Sequence, residues 1–201
     1  MKSKIMISHF IKAILAGVCI SAGCNVYLSC DNKYIGAVLF AVGLITILLF
    51  EFNLYTGKVG YIVNNPPNFI QVVIIILIGN IIGCVYMGTI FPSDFARVLC
   101  ENKMQIPFIN TLWKSIMCGL LMFIAVDTYK NYHNLIPTIF CVPTFILSGY
   151  EHSIADITYF IMGRVFSFKS LLFIVTVILG NALGGMIIPV CHKITKTLQN
   201  D

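Results

Sequence analysis

Polar residues that could carry chemistry are concentrated at Glu151, His152, Ser153 and Asp156, within a stretch that is otherwise apolar. An imidazole titrates near pH ~6.5 in water, so a histidine can lend a proton at neutral pH. A bare anion in a dry constriction loses several kcal/mol of hydration, and protonation to the neutral weak acid removes most of that cost. A neighbouring carboxylate such as Glu151 either orients the imidazole or binds a lysine. The pattern therefore predicts proton donation from His152 to a small anion.

A hydrolase is the main alternative use of a histidine beside a glutamate and a serine. The order Glu151-His152 reverses that of the His-Glu-x-x-His motif, and no second histidine follows one turn later. Ser148-Gly149 lies close to His152, as in an intramembrane serine protease, but no G-x-S-x-G motif accompanies it. The eight cysteines form no C-x-x-C and no cluster with histidine at metal-ligand spacing. The sequence therefore argues against an enzyme and predicts no cofactor or metal.

The elements that position these residues must lie in a lipid bilayer, because the composition excludes a soluble globule. Hydrophobic residues make up 58% of the 201 residues and charged residues only 10%, whereas a soluble protein carries about 25% charged residues. The net charge of +5 is spread along the chain. No block of lysine and arginine alternates with aromatic residues, so nucleic acid is excluded as a partner.

Six apolar stretches are long enough, or nearly so, to cross about 30 Å of hydrocarbon as helices. They cover residues 8–28, 35–54, 69–91, 109–127, 135–150 and 170–190. The chain is thus predicted to be an all-α membrane protein with six transmembrane helices, forming a single transmembrane domain over residues 1–201. Basic residues divide almost evenly between the two sides, with a slight excess that places both termini in the cytoplasm.

The first three stretches resemble the last three. Residues 10–17 align with residues 112–119, residues 54–58 with 152–156, and residues 77–83 with 178–184, at a nearly constant separation of about 100 residues. Three spans are an odd number, so the two copies must cross the membrane in opposite directions. This is the inverted-repeat plan of many channels, with repeat one at about 8–91 and repeat two at about 109–190.

The second and fifth helices are predicted to be broken. The second stretch ends in polar residues from Glu51 to Lys58, and the fifth contains Pro137 and Pro143 before Ser148-Gly149. Polar, glycine-containing backbone at membrane depth is tolerated only where protein buries it or where it lines a cavity. Two breaks at matching places therefore indicate a substrate pathway.

Lys12 and Lys114 occupy matching positions in the two repeats. Each lies near the end of its span, so extension of the ammonium to the headgroups is one interpretation. Their recurrence at opposite membrane faces favours the other, a lysine at each mouth that gathers anions. Asn80 and Asn181 each lie in a Gly-Asn-x-x-Gly motif. This motif is typical of close helix packing with interhelical amide bonds, and a position lining the pathway is the secondary interpretation.

The segment Gly149-Tyr150-Glu151-His152-Ser153-Ile154-Ala155-Asp156 resembles the signature of the formate/nitrite transporter family in its fifth helix. Leu54-Tyr55-Thr56-Gly57-Lys58 is similar to that family's loop in the second helix, and residues 180–185 are similar to its sixth helix. The resemblance implies a homopentamer with an aquaporin-like fold and one pore per protomer. It also implies passage of small monovalent anions or their conjugate acids, such as formate, nitrite, hydrosulfide and lactate.

The resemblance also implies roles for individual residues. His152 is the central histidine, Glu151 its neighbour and Thr56 the threonine of the broken second helix. The constrictions fall on Phe40 and Leu44 towards one face and on Phe145 towards the other. The predicted substrate pathway as a whole comprises His152, Glu151, Lys12, Lys114, Thr56, Ser153, Asp156, Lys58 and Asn181.

Two residues depart from the family pattern. Asp156 and Lys58 each stand where an asparagine is expected. A carboxylate close to an anion site is unfavourable, and we therefore expect Asp156 and Lys58 to pair across the pseudo-twofold axis.

The sequence as a whole favours a channel for small anions or their conjugate weak acids in a bacterial-type inner membrane. A neutral-solute channel for water, urea or hydrogen sulfide on the same scaffold is the first alternative, and Asp156 favours it. A non-conducting membrane subunit is the second, and it predicts that His152 and both mouth lysines can be replaced freely.

Overall fold

The computed structural model describes residues 2–200, which form helices and no strand. The elements are α1 (Lys2–Ser29), α2 (Lys33–Leu49), α3 (Tyr55–Lys58), a 3-10 helix (Val59–Asn64), α4 (Phe69–Ile90), α5 (Asp94–Lys103), α6 (Phe108–Tyr132), α7 (Ile136–Leu147), α8 (Ser153–Met162) and α9 (Phe168–Asn200). The predicted all-α class is confirmed. Helices α6 and α9 extend beyond the predicted ends at residues 127 and 190, and α5 was not predicted.

Four of these helices, α1, α4, α6 and α9, are long and apolar enough to cross a membrane. Each of the remaining two predicted spans, 35–54 and 135–150, is occupied by a shorter helix, α2 or α7, that stops before a second short helix, α3 or α8. Large apolar side chains cover much of the outer surface of these helices, as expected where lipid takes the place of water.

Glycines allow the long helices to pack closely in two matching pairs. Helix α1 packs against α4, and α6 packs against α9. Gly17 of α1 faces the backbone carbonyl of Asn80, and Gly119 of α6 faces the backbone carbonyl of Asn181, so that a Cβ at either glycine would overlap the opposite backbone. Small residues at such contacts let helix backbones approach in a membrane.

Helices α2 and α7 end in the same way. The second residue after each helix has a left-handed backbone conformation, with φ 53° at Glu51 and φ 64° at Gly149. In each case an amide beyond the turn donates to a carbonyl of the last helical turn at 2.9 Å: Phe52 to Ile47 and Tyr150 to Phe145. This is the hydrogen bond of a Schellman C-cap. The two predicted helix breaks therefore occur, and they share one geometry. Pro137, in the first turn of α7, and Pro143, inside α7, both precede the break.

Helix α5 is a short polar helix that packs against α8. The Ser93 hydroxyl caps its N-terminus by accepting from the Ala96 amide at 3.2 Å, and the Ser93 amide donates to the Met162 carbonyl at 2.9 Å. At the next turn, Arg97 Nε donates to the Gly163 carbonyl at 3.2 Å. These bonds fix α5 against the C-terminal end of α8.

Candidate functional site

His152 lies at the start of α8 and serves as its N-cap. Its Nδ1 accepts the backbone N–H of Ala155 at 3.1 Å, and the residue is 1% exposed. A side-chain acceptor at this position satisfies one of the amides that the first helical turn leaves free. Because Nδ1 accepts, the neutral ring carries its hydrogen on Nε2.

The Nε2 atom of His152 contacts Thr56 in the other broken helix. The distance from Nε2 to the Thr56 hydroxyl oxygen is 3.0 Å, and Thr56 is fully buried. With its hydrogen on Nε2, the imidazole is the donor in this bond. The second and fifth helix breaks therefore meet at one hydrogen bond in the interior of the protein.

Two aromatic rings pack beside the hydrogen bond between His152 and Thr56. Phe145 stacks on the His152 ring with centroids 5.5 Å apart, and Phe40 meets Phe145 edge to face at 5.9 Å. The expectation that Phe40 and Phe145 lie towards opposite faces is therefore wrong, because their rings form a single layer. Leu44, one turn further along α2, is also fully buried.

Asn80 holds the first break in place with its side-chain amide. Its Nδ2 donates to the Ala13 carbonyl at 2.7 Å and to the Asn53 carbonyl at 2.9 Å, and its Oδ1 accepts the Tyr55 amide at 2.8 Å. Asn53 and Tyr55 belong to the interrupted helix, which cannot satisfy these backbone groups itself, whereas Ala13 belongs to α1. The amide thus replaces the hydrogen bonds lost at the break.

Asn181 makes the matching contacts at the second break. Its Nδ2 donates to the Ser115 and Glu151 carbonyls at 2.8 Å each, and its Oδ1 accepts the Ser153 amide at 2.8 Å. The predicted interhelical amide bonds are present. The sequence also assigned Asn181 to the pathway, but in the structure both its hydrogens and its oxygen are engaged with backbone groups. The Ser153 hydroxyl is buried and has no hydrogen-bond partner within residues 2–200.

A cavity of about 370 Å³ lies beside the first break and contains several basic side chains. The ammonium of Lys12 is 3.9 Å from the Glu51 carboxylate and partly exposed. Further titratable side chains that line this cavity are His9, Lys58, Tyr61, Tyr129, Lys130 and His133. Three lysines facing one glutamate give the cavity an excess of positive charge. Of its titratable residues, the sequence had singled out only Lys12, Lys58 and Glu51.

The predicted pair between Lys58 and Asp156 does not form. Lys58 lines the cavity beside the first break, whereas Asp156 Oδ1 lies 3.0 Å from the ammonium of Lys103, at the end of α5. The same ammonium also binds the Glu151 carboxylate. Burial would lower the pKa of Lys103, but the charges and hydrogen bonds of Asp156 and Glu151 outweigh burial and hold that pKa above its usual value. Sequence reasoning missed Lys103 entirely.

Lys114 lies at the second break. The residue is half-buried, and a Cβ added at Gly149 would be 3.7 Å from its Nζ. The two lysines at matching sequence positions thus lie at different breaks, Lys12 near Glu51 and Lys114 near Gly149. Among residues 2–200, no three histidine, cysteine, aspartate or glutamate side chains are grouped so as to hold a metal.

The chain belongs to the formate/nitrite transporter family, because the sequence model of that family, described as formate/nitrite transporter, matches residues 2–194. A solved pentameric formate channel with formate bound has a TM-score of 0.80 at 19% identity, with 98% of this chain and 100% of that chain covered. An FNT family ion channel has a TM-score of 0.79 at 18% identity, with 93% and 89% covered. A sequence comparison with curated proteins gives no match. The resemblance noted in the sequence is thereby confirmed, and the fold is that of these channels.

Proposed function

We propose that the protein is a membrane channel for small monovalent anions or their conjugate weak acids, of the formate, nitrite and hydrosulfide class. The hydrogen bond between His152 and Thr56 is the observation that carries this proposal. It supplies a polar contact directly beside the apolar rings of Phe40 and Phe145. A small solute can exchange water for this contact, whereas a hydrated ion is rejected by the dry layer.

The proposed architecture has six spans in two inverted repeats and five protomers, each with its own pore. The matching amide contacts of Asn80 and Asn181, and the matching ends of α2 and α7, support the repeat. Membership of the family and the likeness to a pentameric formate channel support the pentamer. The channel would lie in a bacterial-type inner membrane with both termini in the cytoplasm.

The lysines would raise the local concentration of anions. Lys12, Lys58 and Lys130 line the cavity beside the first break, and Lys114 lies at the second break. Like charges in a concave, partly desolvated site strengthen the attraction for an anion and increase its rate of entry. A lysine at each mouth serves influx and efflux alike.

Donation by His152 would lower the cost of passage. A neutral ring donates Nε2–H to Thr56, which leaves the threonine hydroxyl hydrogen free to bond a passing carboxylate or nitrite oxygen. A charged ring would also carry a hydrogen on Nδ1, facing the Ala155 amide that now donates to it. Full proton transfer from His152 would therefore require the cap to open, and hydrogen-bond donation through Thr56 is the simpler step.

Flux into proteoliposomes tests this function. Purified wild type and His152→Phe would be compared with formate, nitrite and hydrosulfide at about pH 5.5 and 7.5, because acidity raises the fraction of each solute that is present as the neutral weak acid. Saturable uptake that rises with acidity and is lost in the variant is expected. Wild-type flux in the variant would overturn the role of His152, and wild-type uptake no faster than that of empty liposomes would overturn the channel.

A neutral-solute channel for water, urea or hydrogen sulfide is the second candidate. The two buried carboxylates of Glu151 and Asp156 favour it, because they share a single ammonium and leave an excess of negative charge. Osmotic shrinkage of the same proteoliposomes in urea, followed by light scattering, separates the candidates. Fast urea entry together with no saturable anion uptake would favour the neutral-solute channel.

A further inference from the structure

Lys103 is a largely buried charge that the proposed function does not use. It is the last residue of α5, yet its side chain is only 14% exposed and contacts the carboxylates of Glu151 and Asp156. Lysine is rarely buried to this extent unless it is paired. Its position is fixed, because α5 is bonded through Ser93 and Arg97 to the end of α8.

The carboxylates that Lys103 binds lie within one turn of the centre of the proposed pathway. Glu151 directly precedes His152, and the Asp156 amide donates to the His152 carbonyl at 2.8 Å. One oxygen of Asp156, Oδ2, is buried and has no hydrogen-bond partner in the described part of the chain. Without Lys103, two negative charges would therefore remain unpaired beside the polar contact with Thr56.

We propose that Lys103 is a specificity-determining residue, whose ammonium offsets Asp156 and Glu151 and keeps this side of the pathway permissive to anions. The proposal rests on the proposed function. Ionised, the three groups sum to one negative charge, and loss of Lys103 doubles it. Asp156, which stands where the family resemblance predicts asparagine, is tolerated in an anion pathway because Lys103 is brought to it by α5.

A charge series tests the proposal, with formate as the probe. Lys103→Met makes the cluster more negative by one charge, Asp156→Asn makes it less negative by one, and the double variant restores the wild-type sum. Lys169→Met is the matched control, because Lys169 is exposed and its replacement removes the same charge from the protein. Initial formate uptake would be measured over a range of concentrations, so that KM and maximal rate are obtained separately.

The expected results are a KM raised about tenfold in Lys103→Met, lowered in Asp156→Asn, and close to wild type in the double variant and in Lys169→Met. The tenfold change in KM is the effect expected of one unit charge on an anion about 10 Å away, at an effective dielectric constant of about 20. A loss of folded protein would lower the maximal rate and leave KM unchanged. Asp156→Asn keeps the ion pair between Lys103 and Glu151. If Lys103→Met does not assemble, the KM of Asp156→Asn still tests the proposal.

Other outcomes are equally decisive. A KM within twofold of wild type in every variant that assembles would overturn the proposal while leaving the channel function intact. A double variant as defective as Lys103→Met would show that the ammonium binds the anion itself, which also overturns charge compensation. Absence of formate uptake by wild type would remove the proposed function and this inference with it.

Discussion

His152 and Thr56 are 96 residues apart in the sequence, yet Nε2 of one lies 3.0 Å from the hydroxyl of the other. Each lies at the first turn of a short helix that follows a break. The breaks are held by Asn181 and Asn80, which make the same three kinds of backbone contact. The hydrogen bond between His152 and Thr56 therefore depends on the side-chain amides of Asn80 and Asn181, each of which we call an amide clamp.

Replacement of His152 separates its two tasks. His152→Asn retains an N-cap acceptor for the Ala155 amide but has no atom that reaches Thr56. His152→Phe loses both, and loss of the cap costs about 1 kcal/mol. We expect both variants to lose saturable formate uptake, and His152→Phe to unfold at a lower temperature than His152→Asn because it alone also loses the cap. The measurements are uptake and thermal unfolding of purified protein in detergent, and undiminished uptake by His152→Asn would contradict the role of Nε2.

The Thr56 hydroxyl is tested by two conservative changes. Thr56→Val keeps the shape of the side chain but leaves the buried Nε2–H of His152 without an acceptor, a loss of about 1–3 kcal/mol. Thr56→Ser keeps the hydroxyl and removes one methyl group. Formate uptake is expected to fall about tenfold or more in Thr56→Val and to stay within a few-fold of wild type in Thr56→Ser. Equal uptake by the two variants would show that the hydroxyl takes no part.

Much of this arrangement could be predicted from the sequence, because membrane burial leaves strong signals. Long apolar runs require helices, and polar residues within them, at Glu51 to Lys58 and at Ser148 to Asp156, locate the two breaks. The recurrence of asparagine between matching glycines predicted the amide bonds of Asn80 and Asn181. These signals are local in the sequence, so no knowledge of tertiary packing was needed to read them.

Other features depend on packing between distant segments and left no local signal. Lys103 ends a short polar helix and reads as an ordinary surface lysine, although its partner Glu151 is 48 residues away. The pairing of Lys58 with Asp156 was wrong because symmetry of sequence does not bring two side chains together. Phe40 and Phe145 share a layer because α2 packs against α7, a contact that periodicity does not specify.

The amide clamp makes a prediction about stability. Asn181→Leu is similar in size but loses three hydrogen bonds to buried backbone groups, and at about 0.5–1.5 kcal/mol each we expect a loss of about 1.5–4.5 kcal/mol in the free energy of unfolding. Asn80→Leu should cost a similar amount, because its contacts are the same in kind. Asn131→Leu is the control, since this exposed amide bonds only the neighbouring Asp127 among the described side chains. Thermal unfolding in detergent measures the effect, and equal melting of all three variants would refute the clamp.

The ring of Phe145 should limit the size of the solute. It contacts both Phe40 and His152, so Phe145→Ala removes the centre of the apolar layer and opens space beside the polar contact. We expect this variant to admit a larger monovalent anion, such as propionate, that wild type excludes relative to formate. Phe140→Ala, on the same helix but 68% exposed, removes an equal side chain from the outer surface and should leave the ratio unchanged. Uptake of labelled propionate and formate by matched proteoliposomes gives this ratio, and a wild-type ratio in Phe145→Ala would mean that the narrowest point lies at other residues.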